Sequence, residues 1–244
     1  MRKILLVLLA LAPAALAQSF PRITYYGGLA ASRQEPNFGT FHISEGGDTF
    51  SFKPCVAEGA GILGASLQGA LCDDRSFRGF EGSVQYNVAR MWGLRTDFVM
   101  LSDETRSVDT FGDGADAHTD TNIIKDRTYL LTAGIEWGDN ARVAKWRPFV
   151  HAMIGAARQT SRDRQTSTGP FNFTLHDSTT SIALKIGAGI DIPLSHRVDV
   201  RLIEVNYTPV FARARNSRGD ADFEQRVNGK TAQNITFSAG IVWH

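Results

Sequence analysis

Apolar and polar residues alternate with a period of two in eight segments of the chain, roughly 22–32, 77–88, 93–102, 127–137, 146–159, 179–192, 197–212 and 232–243. A period of two sends successive side chains to opposite faces of a strand, so each segment carries one apolar and one polar face. Phe80, Val84, Tyr86 and Val88 oppose Glu81, Ser83, Gln85 and Asn87, and Leu94, Phe98 and Met100 oppose Arg95 and Asp97. The connections alternate as regularly: long at 33–76, 103–126, 160–178 and 213–231, short at 89–92, 138–145 and 193–196. That alternation predicts an all-β fold, an eight-stranded antiparallel up-and-down barrel with both chain ends on the short-turn side.

Which face lies inside is the question posed by "SIALKIGAGIDI", residues 181–192, where Lys185 interrupts an otherwise apolar strand. On a lipid-facing wall near the bilayer midplane a lysine costs roughly 2–4 kcal/mol, so Lys185 is expected to point into the lumen and to need a counter-charge there. Beyond residue 17 the chain has no run near the roughly 18 apolar residues of a membrane helix, so any membrane crossing is by strands. Trp92, Trp137, Trp146 and Trp243 all fall beside short turns or the last residue, the placement of an aromatic girdle at one rim of a transmembrane β-barrel. An eight-stranded lumen is filled by side chains. Glu81, Arg95, Asp97, Glu136, Lys185, Asp191, Arg201 and Glu204 are the charges expected to fill it as a network. In "RVDVRLIEVNY" the alternation slips by one residue, which predicts a β-bulge near Leu202–Ile203. With Ile192 set against His196, Asp191 falls opposite Arg197, and the bulge then sets Glu204 opposite Lys185.

The chain opens "MRKILLVLLALAPAALAQ", two basic residues, a short apolar run and Ala15-Leu16-Ala17 before Gln18, the pattern of a secretory signal peptide. Residues 1–17 are expected to be removed, leaving 18–244 as one barrel domain. Removal of Arg2 and Lys3 turns the formal charge from +1 to −1, which argues against a nucleic-acid surface. In an exported chain Cys55 and Cys72 are expected to form a disulfide that braces the first long connection, whose segment "CVAEGAGILGASLQGALC" suits a short helix. The long connections are otherwise rich in Asp, Arg, Gly, Ser and Thr and are expected to be solvated loops on the outer side.

Three stretches, "WRPFVHAMIGAARQ", "ALKIGAGIDIPLSHRVDVRLIEVNY" and the terminal "NITFSAGIVWH", resemble the small eight-stranded outer-membrane β-barrel family that contains the membrane domain of outer membrane protein A. The resemblance spans residues 20–244 and is specific for fold, not for activity. It implies the outer membrane of a diderm bacterium, contact with outer-membrane lipids and lipopolysaccharide, and insertion by the barrel assembly machinery. In that family the last strand usually ends on an aromatic, whereas here His244 follows Trp243. No periplasmic domain is expected after the barrel.

For function, a structural or surface-interaction role with an unknown surface ligand is the expectation, with a narrow gated porin-like pore and an outer-membrane hydrolase or protease as alternatives. No enzyme activity and no cofactor or metal are expected. His118 among Asp113, Asp116 and Asp120, and His176-Asp177-Ser178, supply acid and base groups in long connections, but no motif fixes a nucleophile. "FGDGADAHTD" lacks the ligand spacing of an EF-hand loop. Arg218-Gly219-Asp220 is an adhesion-type tripeptide that also arises by chance. The Asn-x-Thr triplets at Asn172, Asn206 and Asn234 are set aside, two of them lying in expected strands.

Overall fold

A computed structural model describes residues 20–35, 38–45, 48–53, 55–56, 65–111, 118–168, 173–211, 215–218, 224–229 and 231–244. The segment read as a signal peptide and Gly219-Asp220 lie outside the described residues. Eight strands close into an antiparallel barrel: β1 (Ile23–Gln34), β4 (Arg75–Ala89), β5 (Trp92–Phe111), β6 (His118–Gly138), β7 (Arg147–Ser167), β8 (Phe173–Pro193), β9 (Val198–Phe211) and β12 (Thr231–Trp243). Each pairs with its neighbour in order, and β1 closes the ring by pairing with both β4 and β12. Closure leaves no edge in the ring where all eight strands are paired, which a chain in hydrocarbon requires.

The outer face carries the apolar set of the alternation. Leu29, Leu131, Ile154 and Ile186 are 78%, 57%, 60% and 57% exposed, an arrangement that only a non-aqueous surround makes favourable. The barrel is inside-out, and its lumen side is where most of the charge lies.

The long connections differ from the expected solvated loops. β5 and β6 stay paired from Trp92–Trp137 up to Phe111–His118, and β7 and β8 from Arg147–Asp191 up to Gln165–Phe173. The ladder therefore continues through 103–111, 118–126, 160–167 and 173–178. Cross-strand side chains such as Lys125 with Glu104, 3.0 Å apart, stand where oil-facing residues stand lower down. The first and last connections also form strands: β2 (Phe38–Glu45) with β3 (Asp48–Phe52), and β10 (Arg215–Arg218) with β11 (Glu224–Gly229). Pairing of β11 with β2 joins them into one four-stranded sheet of order β10-β11-β2-β3. Helix α1 (Ala65–Cys72) ends at the cysteine that bonds Cys55, with Cα atoms 5.3 Å apart.

The bulge lies at Leu202. Ile190 faces Ile203 and Asp191 faces Arg201, so Leu202 is the extra residue, and Leu202 and Ile203 both point outward. The register differs from the one expected. Pro193 pairs with Asp199 and Ile192 with Val200, because the turn spans 194–197 and is wider than the hairpin assumed from alternation alone. Asp191 therefore faces Arg201 rather than Arg197, and Glu204 faces Gly189 rather than Lys185.

Candidate functional site

Inward positions of the lower and middle barrel converge on one charged cluster. Arg95 projects from β5 and donates to four carboxylates: Nε to Asp97 at 2.5 Å, Nη1 to Glu136 at 2.8 Å, and Nη2 to Glu204 at 3.0 Å and Glu81 at 3.5 Å. Lys185 donates to Glu81 at 2.5 Å and Asp97 at 2.6 Å, with Glu204 at 3.8 Å. Arg201 grips Asp191 with two nitrogens, at 2.8 and 3.1 Å, and reaches Glu204 at 2.5 Å. The bulge makes this last contact possible, since without Leu202 in excess Arg201 and Glu204 would point to opposite faces. All eight residues are buried, and Asp97 and Glu204 have no exposed surface.

Small residues on β8 give the cluster its room. A Cβ at Gly187 would lie 2.0 Å from Asn206 Oδ1, and one at Gly189 would lie 2.4 Å from the Phe149 ring. Those inward glycines face His151 and Phe149, two lumen residues absent from the sequence expectation. His151 Nε2 sits 2.8 Å from Asn206 Oδ1, and Asn206 donates to Glu204 at 3.0 Å. Arg201 stacks over Phe149 at 4.1 Å and over Tyr26 at 4.4 Å, so its face is covered as well as its edge. The signal for His151 was its parity: it shares a face with Arg147, Phe149 and Met153, all buried.

Asp97, His151 and Glu204 bring three potential metal-ligand atoms within 4.8 Å of one another. Both carboxylates of that trio are already bonded to Arg95 or Lys185, so the position a metal would take is filled by fixed cations. The arrangement is an ion-pair network, in which each carboxylate has a cationic donor and so offsets its desolvation.

Two further layers bracket the cluster. Toward the outer side, Ala30, Phe77, Val99, Leu101, Leu130, Ala157, Ala183 and Val210 form a buried apolar group drawn from seven of the barrel strands. The lumen is polar on both sides of this layer: above it Gln34, Asn122 and Thr128 are buried, and Arg75 bonds Asp103 and Asp126. Toward the short turns, Arg142 and Arg147 both contact Asp199. Arg142, held at a positive φ of 58°, also reaches the backbone oxygens of Ser195 (2.6 Å) and His196, tying two turns together. His244 closes the same end. Its Nε2 lies 2.5 Å from Asp199 and its Nδ1 3.2 Å from Thr24 Oγ1. Burial, aided by Arg142 and Arg147, pushes the His244 imidazole down to about 4 and outweighs the opposing pull of Asp191.

Trp92 and Trp137 face each other across β5 and β6, and Trp243 faces Tyr25 across β12 and β1. Together with Trp146 they are about half exposed at the rim that holds the short turns. The rim-level acid and base groups fall on different strands and only some of them are described. Asp113 and Asp116 lie outside the described residues, and Asp120 points inward and accepts from Gln165 at 2.8 Å. His118 stands at the tip of β6, whereas His176 and Ser178 lie exposed on β8 opposite Arg162 and Thr160.

No protein-family model matches the chain, and no curated protein does. Among solved structures the chain is similar to Ail, the attachment invasion locus protein of Yersinia pestis, in complex with the heparin analogue sucrose octasulfate (15% identity, 91% of this chain and 100% of that one, TM-score 0.43). It is also similar to Neisserial surface protein A (12% identity, 90% and 96%, TM-score 0.40) and to the outer membrane protease OmpT from Escherichia coli (10%, 93% and 98%, TM-score 0.46). At these identities and TM-scores the barrel assignment rests on the chain's own closed register.

Proposed function

We propose that the chain is an outer-membrane barrel whose mature domain is residues 18–244, and that it acts by what its outer connections present and not by passing solutes through its lumen. The observation that carries this reading is the stack inside the barrel. The Arg95–Lys185–Arg201 network fills the middle, and the Ala30–Val210 apolar group lies across the lumen above it. A solute or hydrated ion on that path would have to displace buried ion pairs and then cross an apolar constriction. Outside, the ladders of β5–β6 and β7–β8 run on past the apolar band and give rigid hairpins, the form suited to presenting side chains to a surface ligand.

Protease treatment of intact cells tests the orientation and the display together. Cuts are expected within 112–117, 169–172 and 212–223, with the short turns at 90–91, 139–146 and 194–197 protected. Cutting confined to those turns reverses the orientation and removes the outer hairpins from the cell surface.

A further inference from the structure

Above the apolar band, the outward face of five consecutive strands carries basic residues. In register, one row runs Arg78 (β4), Ser102 (β5), Arg127 (β6), Thr160 (β7), Ser178 (β8). The next row outward runs Glu104, Lys125, Arg162, His176, and the one beyond it Arg106, Ile123, Arg164, Thr174. Arg158 stands just below, beside Tyr129. All these cations are exposed, and among the described residues Glu104 is the single acid on this part of the outer face, where it pairs with Lys125. Lys125 and Arg162 lie directly opposite each other, a like-charge pairing that Glu104 offsets only on the Lys125 side. Past Arg78 the row passes to β1, where Ala31 stands opposite Arg78, and the outward Arg33 is paired with Asp74 at 2.9 Å.

Position identifies the anion. Arg158 is four residues from Ile154 on the same outward face, about 13 Å along a strand and less along the membrane normal once the strand tilts. The lipid-facing wall and the basic rows form one continuous surface, so the rows stand where the hydrocarbon ends and headgroups begin. Resting on the membrane reading above, we propose that this face of β4–β8 is a binding surface for phosphorylated headgroups of the outer leaflet, with Arg158, Arg162 and Arg164 of β7 at its centre.

The test uses the folded full-length barrel in uncharged detergent micelles, titrated with bis-phosphorylated lipid A and with enzymatically dephosphorylated lipid A. Barrel formation is checked first, by heat-dependent gel mobility. Binding is expected to weaken by about a hundredfold in R158Q/R162Q/R164Q, and by a similar factor when the phosphates are removed. K145Q, at the short-turn rim, is expected to bind as the wild type does. Equal affinity for the two lipids, or an unchanged triple variant with intact gel mobility, overturns the proposal while leaving the barrel reading in place. Stronger binding of a soluble sulfated polysaccharide than of lipid A at the same face also overturns it, in favour of a soluble polyanion. A wild-type chain that never folds in micelles brings down the membrane reading itself.

Discussion

Arg95 and Arg162 sit on strands of the same sheet and face opposite ways, and the fold treats their charges in opposite fashions. Inside, three cations of the central cluster meet five carboxylates, and just below them Arg142 and Arg147 meet Asp199. Outside, among the described residues, Arg78, Arg106, Lys125, Arg127, Arg158, Arg162 and Arg164 stand with a single acid, Glu104, which pairs with Lys125. A lumen sealed from water must carry its own counter-charges, because an unpaired ion there costs several kcal/mol. A face at a headgroup layer can leave its counter-charges to the membrane. Exposed cations can be met by water or by a membrane, whereas the buried charges are met from within the chain, and the proposed plug rests on that pairing.

Removing one member from each region is the sharpest way to break that contrast. Arg95→Leu takes the shared donor from Glu81, Asp97, Glu136 and Glu204 at once. The expected loss of stability is about 3–5 kcal/mol, read as the shift in urea unfolding of the barrel in micelles. A loss below about 1 kcal/mol means that water reaches the cluster and that the lumen is not sealed.

A smaller, pH-dependent effect is expected at the short-turn end. The His244 imidazole, held near 4 against an ordinary value of about 6.5, stays neutral in the fold while the unfolded chain takes up a proton. Its contribution is therefore whole above about pH 6.5 and is lost as pH falls from there toward 4. Between pH 7.5 and 5 the urea midpoint should fall further in the wild type than in His244→Gln. Equal falls would place the imidazole in ordinary solvent.

The smallest effect sharpens the comparison from outside. Arg162→Gln removes an exposed cation opposite Lys125 and is expected to leave stability in micelles within about 0.5 kcal/mol. A large loss would mean that Arg162 has a structural partner within the chain, and that the outer face is balanced after all.

The eight barrel strands were legible because lipid on one side and packed polar groups on the other impose a strict alternation, as in Phe80 to Val88. The same physics hid the strand extensions. Above the band the outer face no longer meets hydrocarbon and polar residues lie within, so "SDETRSVDT" and "RQTSRDRQTS" carry no apolar stripe although their ladders continue. Of the lumen charges, the parity of Lys185, Arg95 and Glu204 told which way each points. Their partners depended on register, and register depended on the width of the 194–197 turn, which alternation does not encode. The bulge at Leu202 was visible as a slip in the pattern, but the apolar layer was not. Ala30, Ala157 and Ala183 are too small to mark either face, and only the closed ring brings them together with Phe77 and Leu130.

The central claim, that the lumen is a plug, is tested most directly by planar-bilayer recordings of the refolded wild-type barrel at high salt. With the ion-pair cluster under its apolar layer, the membrane current is expected to stay at that of bare lipid across the voltage range. Reproducible unitary conductance steps from the wild-type protein, abolished when it is omitted, would contradict the account.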